Sequence, residues 1–551
     1  LTLGASGLEQ IVDPKTEPDH DLTGYPPGVP YIIANEGCER FSFYGMKTIL
    51  QVHLTTLFVA VGAANTVLAE EEAQKVVHLF IAAVYAFPMI GAIVADRLLG
   101  KYQTIIWLSL LYCAGHGVLA VAENSLPGMY LGLALIAVGA GGIKPCVSAH
   151  VGDQFGRGNW NLIPRIFQIF YFIINFGSFF ATLLIPVLRV RYGTSVAFGL
   201  PGVLMLIATI YFWMGRHKFV HVQPRPGGAL GLLDTLSGSA LFLGLIGLPL
   251  FGTAFLSGGQ FWVAVVGFTL LGLWLFKIRQ SRAQDDGFLA VFLHALGAWL
   301  SGANKSAKQA ALGRGETGIT RNGFFADAAR RFGSEAAAGP AAVLRIISIF
   351  CLVSVFWALF DQHASTWIRQ ATRMNREFDI LGWNFTVLPS QIGALNPLMV
   401  MLLIPINTYI IYPAINRVWP LTALRKMTLG MFAASFAFVT VALIQQQIDG
   451  GQTLHVSWQV IPYLIITQAE VMVSITGLEF AYTQAPARMK STIMGLWLLC
   501  VAVGNKLVVL LTGFKGLDLA DFFWVFAALM AVAGVLFAVR ARFYVTRDYT
   551  Q

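Results

Sequence analysis

Between Tyr31 and Val539 the chain alternates long apolar runs with short polar connections. Runs of about 20 residues rise roughly 30 Å as helix, enough to cross a bilayer, and about fourteen of them can be counted. The first six extend from Tyr31–Ala60 to Thr194–Met214, a pair covers Leu230–Leu256 and Phe261–Ile278, and six more extend from Ala341–Ala364 to Leu519–Val539. This pattern predicts an all-α polytopic membrane protein made of two six-helix bundles with an inserted two-helix hairpin. The expected division is a terminal segment over 1–30, bundles over 31–215 and 341–540, a linker and hairpin over 216–278, a second linker over 279–340 and a tail over 541–551. The second linker is rich in Ala, Gly and basic residues and reads as a connector with short amphipathic helix. The hairpin reads as almost free of buried charge.

Composition sharpens this picture. Hydrophobic residues make up 56% of the 551 and charged residues only 12%, about half the share usual in soluble proteins. The net charge of +9 would suit nucleic acid, but the basic residues lie between apolar runs, where membrane topology accounts for them. Arg97, Lys101, Arg157, the Arg216 to Arg225 cluster, Arg425, Lys426, Arg488 and Lys490 fall on one side if both termini are cytoplasmic. That bias favours a multi-pass membrane protein with both termini inside, with lipid as a partner and nucleic acid excluded. The five cysteines stand singly without metal-ligand spacing and read as free thiols. The polar, acidic stretch before Tyr31 is unlike a cleaved signal.

The first run breaks the apolar rule. Glu36, Glu39, Arg40 and Lys47 lie inside it, and on a helix Glu36, Arg40, Tyr44 and Lys47 share one face. A charge at the centre of a membrane helix costs about 2.5–3.5 kcal/mol, so four cost roughly 10 kcal/mol if turned to lipid. The charged face must therefore meet partners or water, which makes it the leading candidate for a transport path.

Topology places other polar groups by depth. Lys47 and Asp361 fall in the outer half of different bundles and are expected to pair as an outer gate. Lys144 and Glu470 fall deeper and are expected to form the corresponding inner pair. Lys144 follows Gly139, Gly141 and Gly142 and precedes Pro145, so neighbouring helices can approach closely there. Asn175 and Asn396 offer amides at mid-depth, and His78 has a side chain suited to proton traffic. Trp357 and Trp497 are candidate pocket walls, while His116 and His363 read as packing residues. No metal cluster, H-E-x-x-H or G-x-S-x-G motif occurs, so no enzyme activity and no cofactor is expected.

Six spans, a pair and six more follow the plan of the major facilitator superfamily. Within it, Glu36-x-x-Glu39-Arg40-Phe41-x-Phe43-Tyr44-Gly45 resembles the first-helix signature of the proton-dependent oligopeptide transporter family. Gly91 to Lys101, Phe170 to Ser178, Phe356 to Gln362 and Met489 to Trp497 resemble further signatures of that family, in order and in both halves. The resemblance implies uptake of di- and tripeptides coupled to protons, the proton being the coupling ion, by a protein working as a monomer. It implies that Arg40, Lys47 and Lys144 receive the peptide carboxylate beside Tyr44 and Tyr85. Asn175, Asn396, Glu470 and Ser474 are then the clamp for the amino terminus and backbone, and Trp357 and Trp497 the pocket walls. Glu36 and Glu39 become proton-coupling carboxylates that exchange partners with Arg40, and His78, Lys144, Asp361 and Glu470 join them in coupling and gating. Phe43 replaces a tyrosine usual in the family and Lys47 an arginine. The short connection from Gln446 to Ser457 has no room for the large outer domain of animal members, so the resemblance points to a prokaryotic inner-membrane member with the accessory hairpin. The alternatives are a carrier of nitrate or another organic anion, and a peptide-sensing receptor that does not transport.

Overall fold

The computed structural model describes residues 15–62, 66–254, 256–283, 287–305, 324–364, 366–380, 383–387, 389–486, 489–512 and 518–546. Its amino-terminal bundle is built from α1 (Val29–Ala60), α2 (Thr66–Val94), α3 (Lys101–Val121), α4 (Leu126–Asp153), α5 (Ile163–Tyr192) and α6 (Thr194–Met214). A hairpin follows, made of α7 (Gly228–Phe242, continued by Leu248–Phe251) and α8 (Gly258–Arg282). The second bundle contains α9 (Ser334–Phe360), α10 (Leu395–Ile406, continued by Tyr412–Val418) and α11 (Ala423–Asp449). It is completed by α12 (Val460–Glu470, continued by Thr476–Thr483), α13 (Lys490–Thr512) and α14 (Leu519–Arg542).

Among the described residues, twelve helices are long and apolar enough to cross a membrane. The expected count was about fourteen. α1 and α13 fall outside the set; on α1, Glu36, Glu39, Arg40 and Lys47 lower the hydropathy. Both helices nevertheless pack among the spans, α1 against α2, α5 and α6, and α13 against α9 and, across the bundle interface, α2 and α4.

The glycine run in α4 explains how tightly the first bundle closes. A Cβ at Gly139 would lie 2.8 Å from the Leu108 carbonyl oxygen of α3 and 2.8 Å from the Tyr112 Cβ. At Gly91 of α2 a Cβ would run into the Gly142 backbone. Backbones meeting this closely gain dispersion contacts that larger residues would forbid, which is how helices associate in lipid. α5 packs on α10 and α2 on α13, so the two bundles touch along paired helices.

Between α8 and α9 the linker forms the short helices Phe288–Leu300 and Ala326–Phe332, whose Val291, Ala295, Phe325 and Ala328 bury one another. Beyond α9 the chain forms a small antiparallel pair, β1 (Glu377–Ile380) and β2 (Trp383–Thr386), with Phe378 opposite Phe385. All five cysteines are free.

The hairpin corrects the expectation that it lacks buried charge. Asp234 of α7 accepts from the Arg279 Nε of α8 at 2.8 Å, and the Arg97 Nη1, from the turn after α2, lies 3.6 Å from its second oxygen. Asp234 and Arg279 sit on separate runs, 45 residues apart, and only the hairpin's antiparallel packing brings them together. The same turn is stitched to the start of the hairpin by backbone bonds from Arg225 to Asp96 and from Gly227 to Arg97, both 3.1 Å. Replacing Asp234 by Ala strands a buried guanidinium and should lower stability by about 3–5 kcal/mol, read from heat unfolding in detergent. The apolar double substitution Asp234→Leu with Arg279→Met should recover most of that loss.

Candidate functional site

α1 delivers its charges to the bundle interior as a single cluster. Glu36, Glu39 and Arg40 are all buried, because the helix is enclosed by α2, α5 and α6 on the side where they point. The Arg40 Nε donates to Glu36 at 2.7 Å, one helical turn back, and lies 3.2 Å from Glu39. From α4, the Lys144 Nζ reaches Glu39 at 3.5 Å and stands 4.3 Å above the Phe43 ring. Two acids and two bases thus neutralise each other at a depth where an unpaired charge would be prohibitive. The contacts of Glu39 are ionic without hydrogen-bond geometry, and neither of its oxygens has a directional partner among the described residues. A carboxylate balanced by charge but not held by hydrogen bonds can change partners at low cost.

This arrangement corrects the expected pairing of Lys144 with Glu470. Lys144 turns back into its own bundle because Glu39 already sits there. Glu470, on α12, accepts instead from the Asn396 Nδ2 at 2.7 Å and from the Tyr171 hydroxyl of α5 across the interface. Asn396 also donates to the Thr467 hydroxyl at 3.2 Å. Glu470 is the residue at which α12 passes into a π turn, Val471–Ile475, that carries Ser474. The extra residue in such a turn redirects the side chains beside it, a device common at functional sites. Glu470 is held by neutral donors, and no cation forms an ion pair with it among the described residues.

The α1 cluster and Glu470 share one interior. The Tyr44 phenol is within electrostatic reach of Arg40 and Glu39 on its own helix and of Glu470 and Asp361 on the other bundle. Tyr85 of α2 is within electrostatic reach of Tyr44, Arg40 and Asp361, and the Lys144 Nζ is 5.8 Å from its ring centre. Lys47 and Asp361 act on each other electrostatically, and Asn505 hydrogen-bonds Asp361. Trp357 and Trp497 meet edge to face at 6.3 Å, and the Trp497 ring lies where a Cβ at Gly477 would be. The amide nitrogen of Asn175 donates to the Tyr171 carbonyl of its own helix at 2.9 Å. His78 lies on α2, and its side chain is outside the described residues.

Sequence reasoning passed over two groups. Tyr171 is the first; its signal was the four-residue spacing to Asn175, which puts both on one face of α5. The second closes the interface at the end where α3 begins. There Lys101 donates to Asp153 at 2.7 Å, the Tyr482 hydroxyl donates to Asp153 at 3.1 Å, and Lys490 donates to that hydroxyl at 2.7 Å. Asp96 accepts from both the backbone nitrogen and the hydroxyl of Thr492, at 3.0 and 2.9 Å. Asp153 and Asp96 belong to the first bundle, and Tyr482, Lys490 and Thr492 to the second, so these bonds lock one mouth of the interior shut.

Comparison with known proteins agrees with this architecture. A family model described as the POT family matches residues 102–231 and 317–516. Peptide transporter family 1 of Drosophila melanogaster is 33% identical over 466 residues, covering 82% of this chain and 52% of that protein. Peptide transporter 3 of Caenorhabditis elegans is 32% identical, covering 78% of this chain and 52% of its own length. The chain thus spans about half the length of these curated relatives. Among solved structures, an auto-inhibited POT family peptide transporter is 37% identical with a TM-score of 0.66, covering 96% of this chain and all of that one. The POT family transporter PepTSo is 38% identical with a TM-score of 0.64, over 94% of this chain and 98% of that one.

The pairing within the site is testable by double-mutant cycles read from thermal unfolding. Lys144→Met and Glu39→Gln should be coupled by about 1–3 kcal/mol, while Lys144→Met and Glu470→Gln should add within about 0.5 kcal/mol.

Proposed function

Because the chain belongs to the POT family, we propose that it is a symporter that imports di- and tripeptides together with protons, by alternating access. The observation that carries this reading is the unequal treatment of charge on the two sides of one interior. On one side two bases, Arg40 and Lys144, are balanced by two acids. On the other, Glu470 is held by neutral donors and has room in its charge balance for a cation. A peptide carries a carboxylate at one end and an ammonium at the other. Its ammonium would meet Glu470, while its carboxylate would add a negative charge to a cluster already neutral. One proton on Glu36 or Glu39 restores that balance and frees Arg40 or Lys144 for the carboxylate. Substrate and proton are then favoured together because each offsets the charge the other brings.

Phe43 fits this role without the hydroxyl usual at its position, since its ring face carries the Lys144 ammonium by cation–π attraction. Asn396 and Tyr171 orient the Glu470 carboxylate, and Ser474 and Asn175 lie on the same elements. The excess of basic connections at the Lys101 end supports reading that end as cytoplasmic, in the inner membrane, with both termini on that side. In this orientation the locked mouth is the inner one, and Lys47 with Asp361 stands at the outer one. Alternation requires the Asp153 and Asp96 contacts to break as the outer pair closes. The protein is read as working as a monomer, with no cofactor besides the proton.

In proteoliposomes, an inward proton gradient should drive accumulation of a labelled dipeptide, and uptake should rise as the outer solution is acidified. Flux indifferent to the gradient would refute coupling. Glu470→Gln should weaken binding of a free dipeptide about thirtyfold or more and leave an N-acetylated dipeptide little changed. Competition by nitrate equal to that by dipeptide would favour an anion carrier instead.

A further inference from the structure

Besides the charged cluster of α1, the first bundle buries a second series of polar groups. Tyr112 of α3 is fully buried among α3, α4 and α1, and its hydroxyl has no hydrogen-bond partner among the described residues. His116, one turn further along α3, is also fully buried; one ring nitrogen meets the Phe198 carbonyl of α6 at 3.1 Å and the other, Nε2, is unpartnered. The two rings lie 5.0 Å apart. Glu39 acts electrostatically on both, and Glu36, Arg40 and Cys113 also face Tyr112. On the far side of Phe198, the His53 ring of α1 packs against the Phe198 ring at 5.4 Å. His53 Nε2 is 2.8 Å from the backbone carbonyl of Glu123, in the turn between α3 and α4, and Arg189 and the Glu123 carboxylate face it.

Buried polar groups in native proteins are satisfied by protein or by ordered water, and an orphan costs about 1–3 kcal/mol. Two neighbouring orphans, with both oxygens of Glu39 also lacking a hydrogen-bond partner in the same bundle, are groups that bound water would satisfy. We propose that the first bundle contains its own proton path, entering from the outer end at Glu123 and His53 and reaching Glu39 through His116, Tyr112 and the waters between them. Glu39 is thereby supplied with its proton from inside the bundle while the peptide occupies the central interior. At Tyr112 the step balances: the hydroxyl oxygen accepts a proton from the His116 side and releases its own toward Glu39, so the phenol ends neutral. His116 likewise gains a proton at one nitrogen and loses one, and at the end only the Glu39 carboxylate has changed charge.

The inference rests on the proton-coupled reading above, and the tests separate the two. Gradient-driven dipeptide uptake and counterflow without a gradient are measured in proteoliposomes for the wild type, Tyr112→Phe and His116→Gln. Each variant should lower the ratio of driven uptake to counterflow by about tenfold or more, the scale of a lost proton-transfer group. A ratio within about twofold of wild type in both variants overturns the path. A wild type with no gradient-driven uptake refutes the coupled reading itself. For the path alone, radiolytic hydroxyl labelling of the wild type compares Tyr112 with Tyr463, equally buried but bonded to the His363 carbonyl at 2.7 Å. Water beside Tyr112 should make it react several times faster, and equal rates would overturn the proposal whatever the variants do.

Discussion

Charge that has left water must be neutralised where it lands, and this requirement organises the molecule. Four ionisable groups meet inside the first bundle: Glu36, Glu39, Arg40 and Lys144. α1 can carry three of them only because α2, α5 and α6 enclose it, and α4 can deliver Lys144 only because its glycines let α2 and α3 come close. Neutrality of the cluster is also what makes it responsive, since any added charge, whether proton or carboxylate, disturbs a balance that the low dielectric enforces strongly.

The two bundles answer this constraint differently. The first balances acid against base, whereas the second presents Glu470 to neutral donors at a π turn. That asymmetry gives the interior two chemically distinct ends, with Tyr44 within electrostatic reach of both. In the reading proposed above, a ligand with one negative and one positive end suits such a space better than a simple anion, which would leave Glu470 without a counterpart.

The bonds that lock one mouth are of another kind. Asp153 and Asp96 are each held by partners on the opposite bundle, so opening that mouth must break several bonds together. The hairpin touches the same turn, through Arg97 and the backbone bonds of Arg225 and Gly227. It is therefore joined to the turn that carries Asp96 at the locked mouth.

Much of this was legible along the chain. Helical spacing of Glu36, Arg40, Tyr44 and Lys47, set against the cost of charge in lipid, was enough to identify the face of α1 that turns inward, and the length of the apolar runs was enough to identify the membrane fold. These are local properties, fixed by helix geometry and the bilayer. Partner choice was not local. Depth alone allowed Lys144 to meet either Glu39 or Glu470, and the azimuth of α4 in its bundle decided for Glu39. Nothing in the sequence placed Asp234 beside Arg279, Asp153 beside Tyr482, or Tyr171 beside Glu470, because each pair joins separate helices whose rotation and register are settled by packing. Side-chain contacts extend only a few ångströms, so they are decided by tertiary structure, while the sequence decides which charges must find a partner at all.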